Sequence, residues 1–301
     1  MTTEIQTSQP NDSQKIQSSR TRQNWFQALV LLSPAAIWLL LLLVLPTLII
    51  IQLSFVPGII PGDIVNPSGF DNYLRIFDRL YLQVIKRSLI LALATTAICL
   101  MVGFPVAFWI ARMVQKRWRN LLLLAFILPL WTSSLLRSYA WITILRPTGL
   151  LNTALAYFNL PTLNLLNSTE GVLIGMSYSL LPYMVLILYA SLEKLDKRLL
   201  EAASDLGANS IQVFMKVTVP QILPGITAAS MLVFITGLGD YINPELLGGA
   251  SSMTAARLIY NQFLGAAQNW GFGSALSTVL ILVVSLAIAF LIKFGEAKPQ
   301  R

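Results

Sequence analysis

Two carboxylates stand where a strongly apolar chain has little structural use for charge. Asp240 and Glu245 lie in or beside the run Phe234-Ile-Thr-Gly-Leu-Gly-Asp240-Tyr-Ile-Asn-Pro244-Glu245. An ionisable group in a membrane segment is expensive to bury, and for that reason it is a functional candidate. Aromatic side chains are available as partners: Trp109, Trp131, Tyr139, Trp141, Tyr178, Tyr183 and Tyr241. A ring face attracts a cation by about 0.5–2 kcal/mol. Plainer roles stay open for each. Asp240 can form a structural ion pair with Arg137, Glu245 can face water at the outer end of its segment, and Trp and Tyr gather at membrane interfaces in any case. Covalent chemistry finds no support. There is no histidine and one cysteine, Cys99, inside an apolar run, so no Cys/His metal site, disulfide, catalytic pair or cofactor is expected.

The second chemistry-bearing stretch is a polar island, Asp196 to Pro220, between two apolar segments. Leu195, Leu199, Ala202 or Ala203, and Leu206 recur at helical spacing. Asp196 is placed to cap that helix, and Gly207 sits where a helix ends in a left-handed residue. Asn209 or Ser210 then opens a second short helix with Ile211, Phe214 and Met215, which Pro220 and Pro224 are expected to close. Ala202 and Ala203 are small enough to admit another protein's surface, and Glu201 beside them can pair with a basic group. Periodicity alone equally allows an amphipathic helix lying on lipid.

The elements that must position these residues are membrane helices. Of 301 residues, 55% are hydrophobic and 11% charged, against about 25% charged in a soluble domain. The formal charge of +8 follows from basic clusters beside apolar runs rather than from a nucleic-acid surface. A crossing takes about 20 apolar residues. Six runs qualify, at 27–51, 88–111, 121–145, 171–192, 223–247 and 271–294. They imply an all-α membrane protein. Prolines at 34, 46, 105, 129 and 182 fall within them, where each frees a carbonyl and bends the axis. Residues 1–24 are polar and read as a disordered cytoplasmic tail, followed by a membrane domain over 25–294 and a short tail over 295–301.

Orientation follows from Lys and Arg. With the N-terminus inside, 14 of them fall on the tails and on the second and fourth loops, and six fall on the other three loops. Both termini, and the island at 193–222, are therefore expected in the cytoplasm. The long first outer loop carries turn signals and then Asn72-Tyr-Leu-Arg-Ile-Phe-Asp-Arg-Leu, which suits a short helix at the outer interface.

Glu201-Ala202-Ala203, three residues, Gly207, nine residues, then Val217-Thr218-Val219-Pro220 resembles the EAA signature of permease subunits in ABC importers, with Val217 and Val219 in place of Ile and Leu. The resemblance implies a type I, MetI-like permease fold. It implies that Glu201, Ala202, Ala203 and Gly207 form a coupling helix seated on a separate ATPase, and this sequence has no phosphate-binding loop of its own. It implies as partners a second permease subunit, two ATP-binding subunits, a solute-binding protein and membrane lipid, with no nucleic acid, in a bacterial inner membrane. Further stretches, among them Pro129-Leu-Trp131-Thr-Ser-Ser-Leu-Leu-Arg137-Ser-Tyr139-Ala-Trp141 and Trp270-Gly-Phe-Gly, are similar to spermidine/putrescine permeases. That likeness implies a polyamine cargo. Asp240, Glu245, Trp131, Tyr139, Trp141 and Tyr241 are then the expected contacts, while Arg137 opposes a polycation unless it is neutralised. A ferric, opine or thiamine-like cargo is the alternative, and an ion channel or membrane enzyme a more distant one.

Overall fold

The computed structural model describes residues 31–58, 69–249, 252–265 and 267–295. The tail expected over 1–24, the first four positions of the first predicted span and the end of the chain from 296 lie outside the described residues. The described chain is helical, with no strand among the described residues. It divides into residues 1–52 and residues 53–301. The helix α1 (Leu31–Ser54), whose last two residues belong to the second unit, runs through a wide π-helical turn at Leu40–Val44. Pro46 follows two residues on. It has no N–H to give and its ring crowds the carbonyl four residues back, so a widened turn there relieves the clash.

The second unit opens with α2 (Asp71–Ile76), the short helix expected in the outer loop. It stops earlier than the sequence suggested, because α3 (Arg79–Arg112) takes over. That helix has 34 residues, nine more at its start than the predicted second span, and carries Lys86 and Arg87 within it. No Gly or Pro interrupts residues 79–102, so nothing stops the helix at the edge of the hydrocarbon.

The third predicted span does not form one straight rod. It becomes α4 (Lys116–Trp131) and α5 (Ser134–Leu145), with α6 (Leu150–Tyr157) after them, and the axis bends by 95° at the break. Thr132 and Ser133 are extended. Thr132 donates both its N–H (3.3 Å) and its hydroxyl (2.7 Å) to the Pro129 carbonyl, which fixes the turn. Next come α7 (Thr169–Glu193), capped by the Ser168 hydroxyl accepting from Gly171 N (3.1 Å), and the island helix α8 (Lys197–Asp205).

Two more expectations need correction. Pro220 and Pro224 do not close a short helix. From Ser210 the chain runs on as one helix, α9 (Ser210–Leu238), through a π-helical turn at Phe214–Thr218. Pro220 sits at the entry to the regular part, as Pro46 does in α1. The fifth span also breaks. Its helix ends at Leu238, Gly239 to Tyr241 fall between helices, and α10 (Ile242–Leu247) restarts. Helices α11 (Ala255–Phe263) and α12 (Trp270–Gly295) complete the unit, the latter matching the sixth predicted span. Among the described residues five helices are long and apolar enough to cross a bilayer, six spans if the bent pair counts as one.

Helices α3, α7 and α9 form the core. Between lipid-solvated helices the drive to associate is close packing rather than water exclusion, and small residues permit it. Helix α3 supplies such a stripe at four-residue spacing: Cys99, Gly103, Ala107 and Ala111, all buried. Against it pack Leu180, Met184, Leu188 and Leu192 of α7 and Ile222, Ala229 and Val233 of α9.

Candidate functional site

Two sites emerge, one at an end of the bundle and one within it. The first is built on the polar island. The Asp196 carboxylate accepts from Arg198 N (3.0 Å), so the cap read from sequence is present. The end of α8 closes through Gly207 N to Ser204 O (2.9 Å) and Ala208 N to Ala203 O (3.1 Å), with Gly207 at φ +85°. Asn209 and Gln212 then form a reciprocal capping box. Glu201, Ala202 and Gly207 are exposed and Ala203 half-buried. The apolar stripe read from the sequence divides. Leu195 is buried in the core, whereas Leu199, Leu206, Ile211 and Met215 are exposed, Leu206 at 89%. This unit's own fold leaves those four side chains uncovered.

The island is also wired to the bundle. Phe214, on the π turn, meets the rings of Phe104 and Phe108 of α3 edge-on at 5.7 and 5.9 Å. Arg119 of α4 donates to the carbonyl of Ala111 (2.9 Å), near the end of α3, and lies 3.7 Å from Glu193 at the end of α7. Glu193 in turn accepts from the Tyr189 hydroxyl (2.8 Å). The ends of α3, α4 and α7 are thereby joined beside the island. Sequence reasoning missed this clamp, since no spacing rule links positions 119 and 193.

The second site is a cavity of about 250 Å³ where the two broken spans meet α7. Ser134 and Arg137 of α5, Ser179 and Tyr183 of α7, and Asp240 and Tyr241 from the α9–α10 break line it. Asp240 caps α10: Oδ1 accepts from Ile242 N (3.0 Å) and Asn243 N (3.2 Å), and Oδ2 accepts from Asn243 Nδ2 (2.6 Å). A carboxylate only accepts, so the Asn243 amide must turn its NH₂ to Asp240. Its carbonyl is then free to accept from Ser138 (3.1 Å). Asn243 and Ser138 are fully buried. The seat is tight: a Cβ on Gly175 of α7 would lie 2.7 Å from Asn243 Oδ1.

The six predicted contact residues do not converge. Asp240 and Tyr241 share the cavity, with Tyr241 stacked on Tyr260 of α11 (centroids 4.7 Å apart). Glu245 instead pairs with Arg257, which also donates to the carbonyls of Pro244 and Gly249. Trp131, at the α4–α5 break, and Tyr139 point outward, 77% and 55% exposed. Trp141 packs edge-on against Tyr178 (5.4 Å) and lines a separate, wholly apolar cavity with Cys99. The ion pair between Asp240 and Arg137 is not formed. Among the described residues the ion pairs are Arg119–Glu193 and Arg257–Glu245. Tyr183, named from the sequence among the available rings, lines the cavity, and Asn243 is the site residue the sequence reading passed over. Its one mark is the turn-prone run Gly239-Asp240-Tyr241-Ile242-Asn243, which a membrane helix also tolerates.

A helical bundle with two broken spans, a capped helix standing outside it and a charged cavity within is the architecture of a membrane transport subunit. Residues 103–296 match the family described as binding-protein-dependent transport system inner membrane component. The chain belongs to that family. It is a multi-pass inner-membrane permease subunit of an ABC importer, which works with an ATPase and a binding protein.

Within the family it is 39% identical over 253 residues to the spermidine/putrescine transport system permease protein PotB of Haemophilus influenzae, covering 83% of this chain and 88% of that one. The PotB of Escherichia coli K12 is likewise 39% identical, at 83% and 91% coverage. The inner membrane ABC transporter permease protein YdcU of the same organism is 32% identical, at 76% and 73%. Among solved structures, a chain of a bacterial alginate ABC transporter in complex with alginate pentasaccharide-bound periplasmic protein superposes with a TM-score of 0.71 at 20% identity, covering 92% of this chain and 96% of that one. At that identity the likeness speaks for the fold.

Proposed function

We propose that this chain is one of two permease subunits, forming a heterodimer, through which spermidine- or putrescine-like polyamines enter the cytoplasm. Two ATP-binding subunits drive the pair, and an extracytoplasmic solute-binding protein delivers the cargo. The chain itself carries no hydrolytic step. Glu201, Ala202, Ala203 and Gly207 form the surface that docks on the ATPase, and the uncovered Leu199, Leu206, Ile211 and Met215 extend it. Phe214 and the Arg119–Glu193 clamp pass displacement of α8 to α3 and α7. Helices α3, α7 and α9 rock as a body between outward- and inward-open states, with both termini in the cytoplasm.

One observation carries the polyamine reading: the Asp240 carboxylate is held by three neutral donors and forms no direct ion pair. It is thus oriented and left without a contacting cation, in a cavity that also offers Tyr183 and Tyr241 and holds Arg137 nearby. Spermidine/putrescine permeases among the relatives agree with it. The test is radiolabelled spermidine uptake into proteoliposomes holding the complete four-part assembly, with ferric, opine and thiamine-like solutes as competitors. Asp240→Asn should raise the spermidine KM about tenfold, as expected for loss of a charge-assisted contact, while co-purification with the ATPase is kept. Unchanged uptake kinetics would remove Asp240 from the path.

A further inference from the structure

Resting on that reading of a cationic cargo, we propose that Arg137 is a tethered competitor for Asp240, displacing the ammonium group of the cargo from the carboxylate and so completing release. Arg137 and Asp240 line one cavity from different elements, and Asp240 is the only acid in that lining. The Nε and Nη1 atoms of Arg137 are shielded from solvent and meet no acceptor. A guanidinium is a fork of five donors that stays charged. With two of them buried and unmatched it is driven towards any acceptor within reach. The neighbouring carboxylate is engaged instead by three neutral donors.

The backbones are fixed relative to one another. Ser138, next to Arg137, bonds Asn243, and Asn243 bonds Asp240. Only the long Arg137 side chain has to turn. In one rotamer it leaves the carboxylate open to an ammonium group. In the other it takes the carboxylate and leaves the ammonium group beside a cation with no counter-charge. With cargo present the cavity carries one net positive charge, the cargo ammonium and Arg137 against Asp240, and once the ammonium leaves Arg137 and Asp240 balance; the single carboxylate pairs with one cation at a time, so its pairing with cargo and with Arg137 compete. Capture and release then share one carboxylate.

The experiment uses the complete assembly in proteoliposomes and spermidine as the probe. Arg137→Gln should lower the spermidine KM about threefold and Vmax about tenfold, the signature of a site that binds well and clears slowly. Arg137→Lys, which keeps the charge, should stay within about twofold of wild type in both. On an Asp240→Asn background, adding Arg137→Gln should change neither constant by more than about twofold, because no carboxylate is left to clear. Arg137→Lys, set against Asp240→Asn alone, decides the matter if Arg137→Gln fails to assemble with the ATPase. A raised KM or unaltered constants in Arg137→Gln, a Lys variant as slow as the Gln variant, or additive losses in the double variant would each overturn the proposal. Failure of the wild-type assembly to take up spermidine would be a different result, and would sink the cargo reading together with this inference.

Discussion

At the residue scale, the cavity depends on an asparagine with no room to move. Asn243 reconciles an acceptor-only carboxylate on one side with a serine hydroxyl on the other, and both bonds require one orientation of its amide. Gly175 makes that orientation possible, because any Cβ there would press on Asn243 Oδ1 and Leu247 Cδ1. Gly175→Ala should cost about 1–3 kcal/mol of stability through overpacking, read as a lower melting temperature of the purified protein, and should raise the cargo KM by shifting Asp240. Glu245 supplies the contrast. Its partner is Arg257 and its side chain is 39% exposed, so Glu245→Gln should change KM by less than about twofold. A Glu245 variant as impaired as Asp240→Asn would show that the cargo passes the outer pair as well.

At the scale of elements, capping decides what the sequence discloses. Asp196, Gly207 and Asn209 each act within four residues of their own position, so their types and spacing were enough to place α8 and its bend. The two span breaks were not legible as breaks. Pro129 and Gly239 are tolerated inside membrane helices, and whether the chain bends there is settled by what packs alongside: Asn243 and Leu247 against Gly175, for instance. The contact residues suffered as well. Trp131 and Tyr139 were grouped with Asp240 by family likeness; Trp131 sits exposed at the break, and Tyr139 turns outward from the helix whose Arg137 and Ser138 face the site. Pro220 was read as a stop because the π turn that accommodates it leaves no mark in the composition. The exposed face of α8 yields its own prediction. Ala202 is exposed, so Ala202→Trp should leave yield and melting temperature unchanged and abolish co-purification with the ATPase. Gly207→Val should act differently, straining a φ of +85° by about 1–2 kcal/mol and weakening ATPase coupling through loss of the bend. If both variants drive ATP hydrolysis and uptake like wild type, α8 is not the coupling element.

For the molecule as a whole, the long helices set a ruler across the bilayer. Helix α7, with 25 residues, is about 37 Å long against a hydrocarbon thickness of about 30 Å, so Thr169 and Glu193 belong at opposite surfaces. Ser179 and Tyr183 then stand near mid-membrane, which puts the cavity at the depth where a charge is hardest to solvate and an oriented carboxylate matters most. The Glu193 end gathers Arg112, Lys116, Arg117, Arg119, Lys194 and Arg198, and that excess is the ground on which we propose a cytoplasmic position for it. The same assignment carries α8 to the side where ATP is available, so orientation and coupling stand or fall together. Cys99 is buried and is the protein's one cysteine, which makes the test clean. In a Cys99→Ser background, Thr162→Cys, exposed between α6 and α7, should react with a membrane-impermeant maleimide in intact spheroplasts. Glu201→Cys should react only after the membrane is opened. With those two labelling patterns exchanged, α8 would face away from any ATPase, and the exposed Leu199, Leu206, Ile211 and Met215 would have to be the seat of the binding protein instead.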